Sequence, residues 1–171
     1  LVAGEGYVSE TGQPTSMRPP LYSYVLAGFY QIFVDGPAAM RVLHAMLDAV
    51  TCTLVYGLTV RHFGFAAARI AGFLSIFSLS LLFATRHLLA ETFMAFFMVA
   101  IVCSLDTALR SWRDRAFLLT GLFVGLSTLT KGTTLPLPLM LLLPIWVSAQ
   151  WKWRPTLRAG AIVCAGFLMV L

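Results

Sequence analysis

The amino-acid sequence predicts an all-α fold: a polytopic bundle of transmembrane helices with one interfacial helix on its outer side. Three observations lead there. The chain is 59% hydrophobic and only 11% charged, where soluble domains carry roughly 25% charged residues. Its apolar stretches repeat at about the 20 residues that a helix needs to cross roughly 30 Å of hydrocarbon. Its Lys and Arg residues gather in short loops between those stretches, where they act as orientation signals.

Stretch 1–20 is polar and turn-rich, with Gly4, Gly6, Gly12, Pro14, Pro19 and Pro20. It reads as a loop at the membrane surface. Stretch 21–34 is apolar and aromatic but too short to span. Its Tyr22, Tyr24, Phe29, Tyr30 and Phe33 suit a helix lying in the interface, where tyrosine hydroxyls stay wet. Asp35, Gly36 and Pro37 break it. Membrane segments are then expected at 41–60, 65–84, 88–109, 116–130, 133–149 and 156–171. The fourth is short and meets the fifth at Thr130, Lys131, Gly132 and Thr133. That junction is too polar for mid-bilayer unless it faces protein or water. Pro136, Pro138 and Pro144 make the fifth segment irregular, because proline removes a helix donor and clashes with the preceding turn. The chain starts at Leu1 and stops at Leu171 within an apolar run, so it is expected to be a piece of a longer protein.

The loops holding Arg61 and Arg69, then Arg110, Arg113 and Arg115, then Lys152, Arg154 and Arg158 carry eight of the 12 basic residues. They are assigned to the cytoplasm. The net charge of +5 does not point to nucleic acid, because no basic run with interleaved aromatics is present. Cys52, Cys103 and Cys164 lie in apolar runs and suit packing rather than a disulfide framework or metal site. No phosphate-binding glycine loop, zinc-protease motif or nucleophile elbow occurs. Gly121 and Gly125 form a GxxxG pair, which permits close helix approach.

Orientation leaves four cations on the outer side unexplained: Arg18, Arg41, Arg86 and Lys131. Charges near membrane depth are costly and tend to have a function. Arg86, His87 and Glu91 lie at the outer end of the third span, and His87 and Glu91 share one face if that stretch is helical. They read either as a polar site for a charged headgroup or metal, or as an ion pair at a helix start favoured by the dipole. Lys131, at a helix break, reads either as a phosphate ligand or as a snorkelling interface lysine. Arg18 and Tyr22 flank a Pro-Pro bend at the outer surface. Asp48 lies one turn after His44, so a hydrogen bond between them is expected. Asp106 is expected to be solvated near Arg110. Glu5 and Glu10 read as solvated loop carboxylates.

The order of features carries a resemblance. Met17-Arg18-Pro19-Pro20-Leu21-Tyr22 leads into the amphipathic stretch ending near Val34-Asp35-Gly36, and Arg61-His62-Phe63-Gly64 follows a first span. Later come Arg86-His87-Leu88-Leu89-Ala90-Glu91-Thr92-Phe93 and Gly125-Leu126-Ser127-Thr128-Leu129-Thr130-Lys131-Gly132. The chain resembles the membrane-embedded C-type glycosyltransferases. It is most similar to the branch holding the protein O-mannosyltransferases and the aminoarabinose transferase of lipid A.

That resemblance implies transfer of a sugar from a polyprenyl-phosphate carrier to a lipid, protein or glycan acceptor. It implies an integral protein of a bacterial inner (plasma) membrane, with its site facing the periplasm or exterior. It implies Lys131, Arg86 and Arg18 as ligands of the carrier phosphate, with His87 and Tyr22 in the same substrate-binding set. Glu91 would orient the sugar, the acceptor or a divalent cation, the one cofactor that enters consideration. The family's catalytic acid would fall upstream of Leu1. The alternatives from other classes are a secondary transporter, suited to broken helices, and a non-enzymatic membrane assembly component.

Overall fold

The computed structural model describes residues 20–33 and 35–171. Every regular element among them is helical. Helix α1 runs Pro20–Ile32, with proline in the first turn, where its missing N–H costs nothing. Asp35 caps α2, Gly36–Ile76, by accepting the Ala38 N–H at 3.1 Å. Gly64 breaks this long helix with φ 83° and ψ 175°, a backbone region that only glycine enters without strain.

The chain folds back there. A Cβ on Gly72 would meet the Tyr56 ring at 3.3 Å, and the Thr85 hydroxyl donates to the Asp48 carboxylate. Both links join residues on opposite sides of Gly64, so α2 is the body of an antiparallel helical hairpin. Stretches 41–60 and 65–84 lie on its two legs. The second leg is not continuous: α2 stops at Ile76, Ser78 is extended, and α3 covers Leu79–Arg86. Serine suits a helix start better than a helix interior.

Helix α4 spans Glu91–Ser111, and Trp112 ends it in the left-handed region at φ 50°. Helix α5 spans Asp114–Thr130. A 3₁₀ turn at Gly132–Thr134, then α6 at Leu137–Met140 and α7 at Leu142–Ser148, cover the proline-rich return. Helix α8 spans Trp153–Leu168.

The main core lies among α4, α5 and α8. Ile101, Leu105, Phe117, Val124, Ile145 and Val163 are buried in it. Glycines let α5 and α8 touch: a Cβ on Gly121 would stand 2.1 Å from the Val163 carbonyl oxygen, and one on Gly166 would stand 2.5 Å from that of Leu118. A second cluster of Met40, Phe93 and Phe97 gathers Leu21, Tyr22, Leu26 and Leu88, which seats α1 across α2 and α4. The hairpin, by contrast, exposes Phe65, Phe73, Leu74, Phe77, Leu79 and Phe83. Stretches Gly36–Arg86 and Glu91–Ser111 are long and apolar enough to cross a membrane.

Charge separates between the two ends of the bundle. At one end the Asp106 carboxylate receives Arg61 at 2.9 Å, Arg110 at 2.9 Å and His62 at 3.1 Å. Asp106 was expected near Arg110; the hairpin turn brings two further partners. Arg158 on α8 reaches Asp114 on α5 at 2.6 Å at this same end. The opposite end carries Arg86, Glu91 and Lys131, because α3 and α5 finish there and α4 begins there.

Candidate functional site

Three helix ends meet around a turn. Helix α3 stops at Arg86, residues 87–90 turn, and α4 starts at Glu91. Leu88 takes φ 52° within that turn. The expectation that His87 and Glu91 share one helix face therefore fails, because the left-handed residue between them ends one helix before the next begins. His87 folds back on its own helix instead. Its Nδ1 lies 3.0 Å from the Phe83 carbonyl and its ring lies 4.0 Å from the Phe83 ring.

Lys131 stands on extended backbone, φ −154° and ψ 116°, between α5 and the 3₁₀ turn. Its ammonium donates to Glu91 Oε1 at 3.3 Å, with side-chain exposures of 43% and 52%. Glu91 thus meets both a cation and the positive N-terminal end of α4. An ion pair this exposed contributes little to stability, so an anionic ligand can displace the carboxylate at small cost.

Beside this pair opens a cleft of about 840 Å³. Leu79, Leu82, Phe83, Leu89 and Ala95 form its apolar walls, and Arg86 and Glu91 are the charged residues lining it. Arg86 is exposed and makes no ion pair among the described residues. The arrangement offers Arg86 on the lining of an apolar slot and Lys131 beside it through Glu91, which suits an amphiphile with an anionic head.

Tyr22 fastens the turn from α1. Its hydroxyl donates to the Leu88 carbonyl, and its ring sits edge-on to Phe93 at 5.6 Å and His44 at 5.9 Å. Burial, then the charges of Tyr30 and Glu91, push the phenol up to about 12. It therefore keeps its proton and its role as donor at physiological pH.

The other end of the same turn is held from α2, through Thr85 and Asp48. The expected His44–Asp48 hydrogen bond is absent. Asp48 Oδ2 is met across the hairpin by Thr85, while Asp48 Oδ1 and both ring nitrogens of the fully buried His44 lack a partner among the described residues. Sequence reading missed the Asp48–Thr85 anchor. An Asp in an apolar run was the available signal, but its partner lies 37 residues away.

The candidate site therefore brings together Tyr22, Arg86, Glu91 and Lys131. His87 is adjacent in the chain but turned onto Phe83. Arg18 lies outside the described residues, as do Glu5 and Glu10. No group of three or more His, Cys, Asp or Glu that could hold a metal occurs among the described residues.

No solved structure matches this chain. A family described as dolichyl-phosphate-mannose-protein mannosyltransferase matches residues 17–171, a stretch that takes in the cleft, the Lys131 break and every helix of the bundle. The chain therefore belongs to the dolichyl-phosphate-mannose-protein mannosyltransferase family of membrane glycosyltransferases.

Proposed function

We propose that this chain forms part of a polytopic membrane glycosyltransferase that takes its sugar from a polyprenyl-phosphate carrier. The pairing of Lys131 with Glu91, which lines an apolar cleft together with Arg86, carries this reading. The isoprenoid tail lies along Leu79, Leu82 and Phe83, and the phosphate replaces Glu91 as the partner of Lys131. Arg86 meets the same phosphate from the α3 end.

Sugar transfer breaks the bond between the anomeric carbon and a phosphate oxygen, and the bonding electrons stay on that oxygen. Negative charge therefore grows on the phosphate in the transition state. Fixed cations that meet this charge lower the barrier, and removing one such donor costs about a hundredfold or more in turnover. Glu91, once released, is free to accept from a sugar hydroxyl. Tyr22 acts through the backbone, by holding the turn that carries Arg86.

The eight basic residues of the loops near Arg61, Arg113 and Arg154 favour the cytoplasm for their end of the bundle. The cleft then opens at the outer face, and α1 lies along that interface. Within a bacterial cell this reading is of an inner-membrane protein.

The test is turnover of a polyprenyl-phosphate sugar by the full-length protein in proteoliposomes. Lys131→Ala is expected to lower turnover by about a hundredfold or more while thermal stability stays close to that of the parent. Unchanged turnover in a folded Lys131→Ala protein would remove this assignment.

A further inference from the structure

At the end of the bundle away from the cleft, Trp112, Arg113, Asp114, Arg115 and Arg158 line a pocket of about 520 Å³. Helix α4 separates it from Glu91 by 21 residues, roughly 30 Å at 1.5 Å per residue, so it is not an extension of the cleft. Asp114 is already matched by Arg158 at 2.6 Å. Arg113 and Arg115 make no ion pair among the described residues. Three guanidiniums thus surround one carboxylate, leaving an excess of positive charge without a protein counterion.

The pocket's frame is set by the backbone. Trp112 ends α4 in the left-handed region, and Arg113 enters α5 in extended conformation. Two helices therefore hold the cations, rather than one long loop. Apolar surface adjoins the cations on α5. Leu119 follows Arg115 by four residues on α5, so the two share a face, and Leu119 is 50% exposed. Trp112 is 39% exposed, with its ring 5.8 Å from Phe117. Such a half-buried Trp beside a basic loop is typical of the headgroup boundary.

We propose that this pocket binds the phosphate headgroup of an anionic phospholipid, whose acyl chains run along the apolar surface at Leu119. Guanidiniums grip phosphate oxygens bidentately, and basic pockets between membrane helices suit anionic heads. A soluble phosphate would use the same cations but leave the apolar surface at Leu119 idle. The site is separate from sugar transfer and stands whichever donor the cleft takes.

The test uses the full chain in mixed micelles of phosphatidylglycerol and phosphatidylcholine with matched acyl chains. Native mass spectrometry reads which lipid stays bound. The parent protein is expected to retain phosphatidylglycerol in preference to phosphatidylcholine. Arg113→Gln with Arg115→Gln lowers that preference by on the order of tenfold, and Arg113→Lys with Arg115→Lys lowers it less. Arg69→Gln removes an exposed cation outside the pocket and leaves the preference in place. Should the double Gln protein not extract as a folded species, Arg115→Gln alone carries the test with a smaller drop. An unchanged ratio in the Gln variants overturns the proposal, as does an equal drop in Arg69→Gln. Full displacement of the lipid by inorganic phosphate would instead assign the pocket to a soluble anion.

Discussion

The Lys131–Glu91 contact joins two residues 40 positions apart, and its weakness matters for function. A buried, fully satisfied pair would resist an incoming phosphate, whereas an exposed one yields to it. The two side chains should therefore act as a unit in turnover. Lys131→Ala with Glu91→Gln is expected to lose less than the product of the single losses, since neither partner survives to be left unmatched. Strictly multiplicative losses in steady-state kinetics would argue that the two groups work independently. Thr85 offers a different kind of test. Thr85→Val deletes the one hydroxyl that meets the Asp48 carboxylate, while Asp48 Oδ1 already lacks a partner among the described residues. The expected cost is about 1–3 kcal/mol, read as a lower midpoint in thermal unfolding, together with a raised KM for the donor because Arg86 is the next residue. Thr85→Ser should restore both; a Ser variant as impaired as Val would place the effect in packing instead.

At the scale of the helices, the α5–α8 contact depends on having no Cβ at two positions. Gly121→Ala would set a methyl 2.1 Å from the Val163 carbonyl oxygen, so the helices must separate. Overpacking of this kind costs about 1–3 kcal/mol. Gly28→Ala on α1 meets nothing within 4 Å and should be neutral or slightly stabilising. Equal thermal midpoints for the two variants would show that the close approach does not limit stability. The Gly121–Gly125 spacing made this packing legible in the sequence, and the clustered prolines did the same for the broken return after Lys131. The break between the segments expected at 65–84 and 88–109 was legible, but its place at 87–90 was not. Leu88 is a residue type with no preference for left-handed backbone, so nothing local announces that the turn runs through it. His44 and Asp48 misled for the opposite reason. Their spacing of four suggested a local bond, but the hairpin supplied Thr85, and tertiary contacts override such pairings.

For the whole molecule, the separation of charge between the two ends is the feature that composition foretold best. Basic loops recur with each pair of apolar stretches, and the folded chain collects Arg61, Arg110 and Arg158 at one end and Arg86 and Lys131 at the other. Topology is testable directly. With the three native cysteines replaced, Gly132→Cys is expected to react with an impermeant maleimide added outside intact cells, and Arg154→Cys only after permeabilisation. The reverse pattern would invert the orientation and move the cleft to the cytosolic side. What composition could not supply is which helices share a core, because lipid-facing and protein-facing apolar side chains look alike in a sequence. Burial separates them: α4, α5 and α8 enclose the core, whereas the hairpin of α2 and α3 leaves most of its bulk uncovered.

That hairpin is held at both ends by polar contacts: Asp106 on α4 gathers Arg61 and His62 of the first leg near the tip, and Asp48 on the first leg meets Thr85 on the second near the root. Greasy flanks alone would tolerate sliding, since one apolar register packs nearly as well as the next. Slippage of the first leg by a single turn, about 5.4 Å, would undo both fasteners together, and slippage of the second would undo the one at the root. The hairpin thus has one seating, and with it the position of Arg86 at the end of its second leg is set.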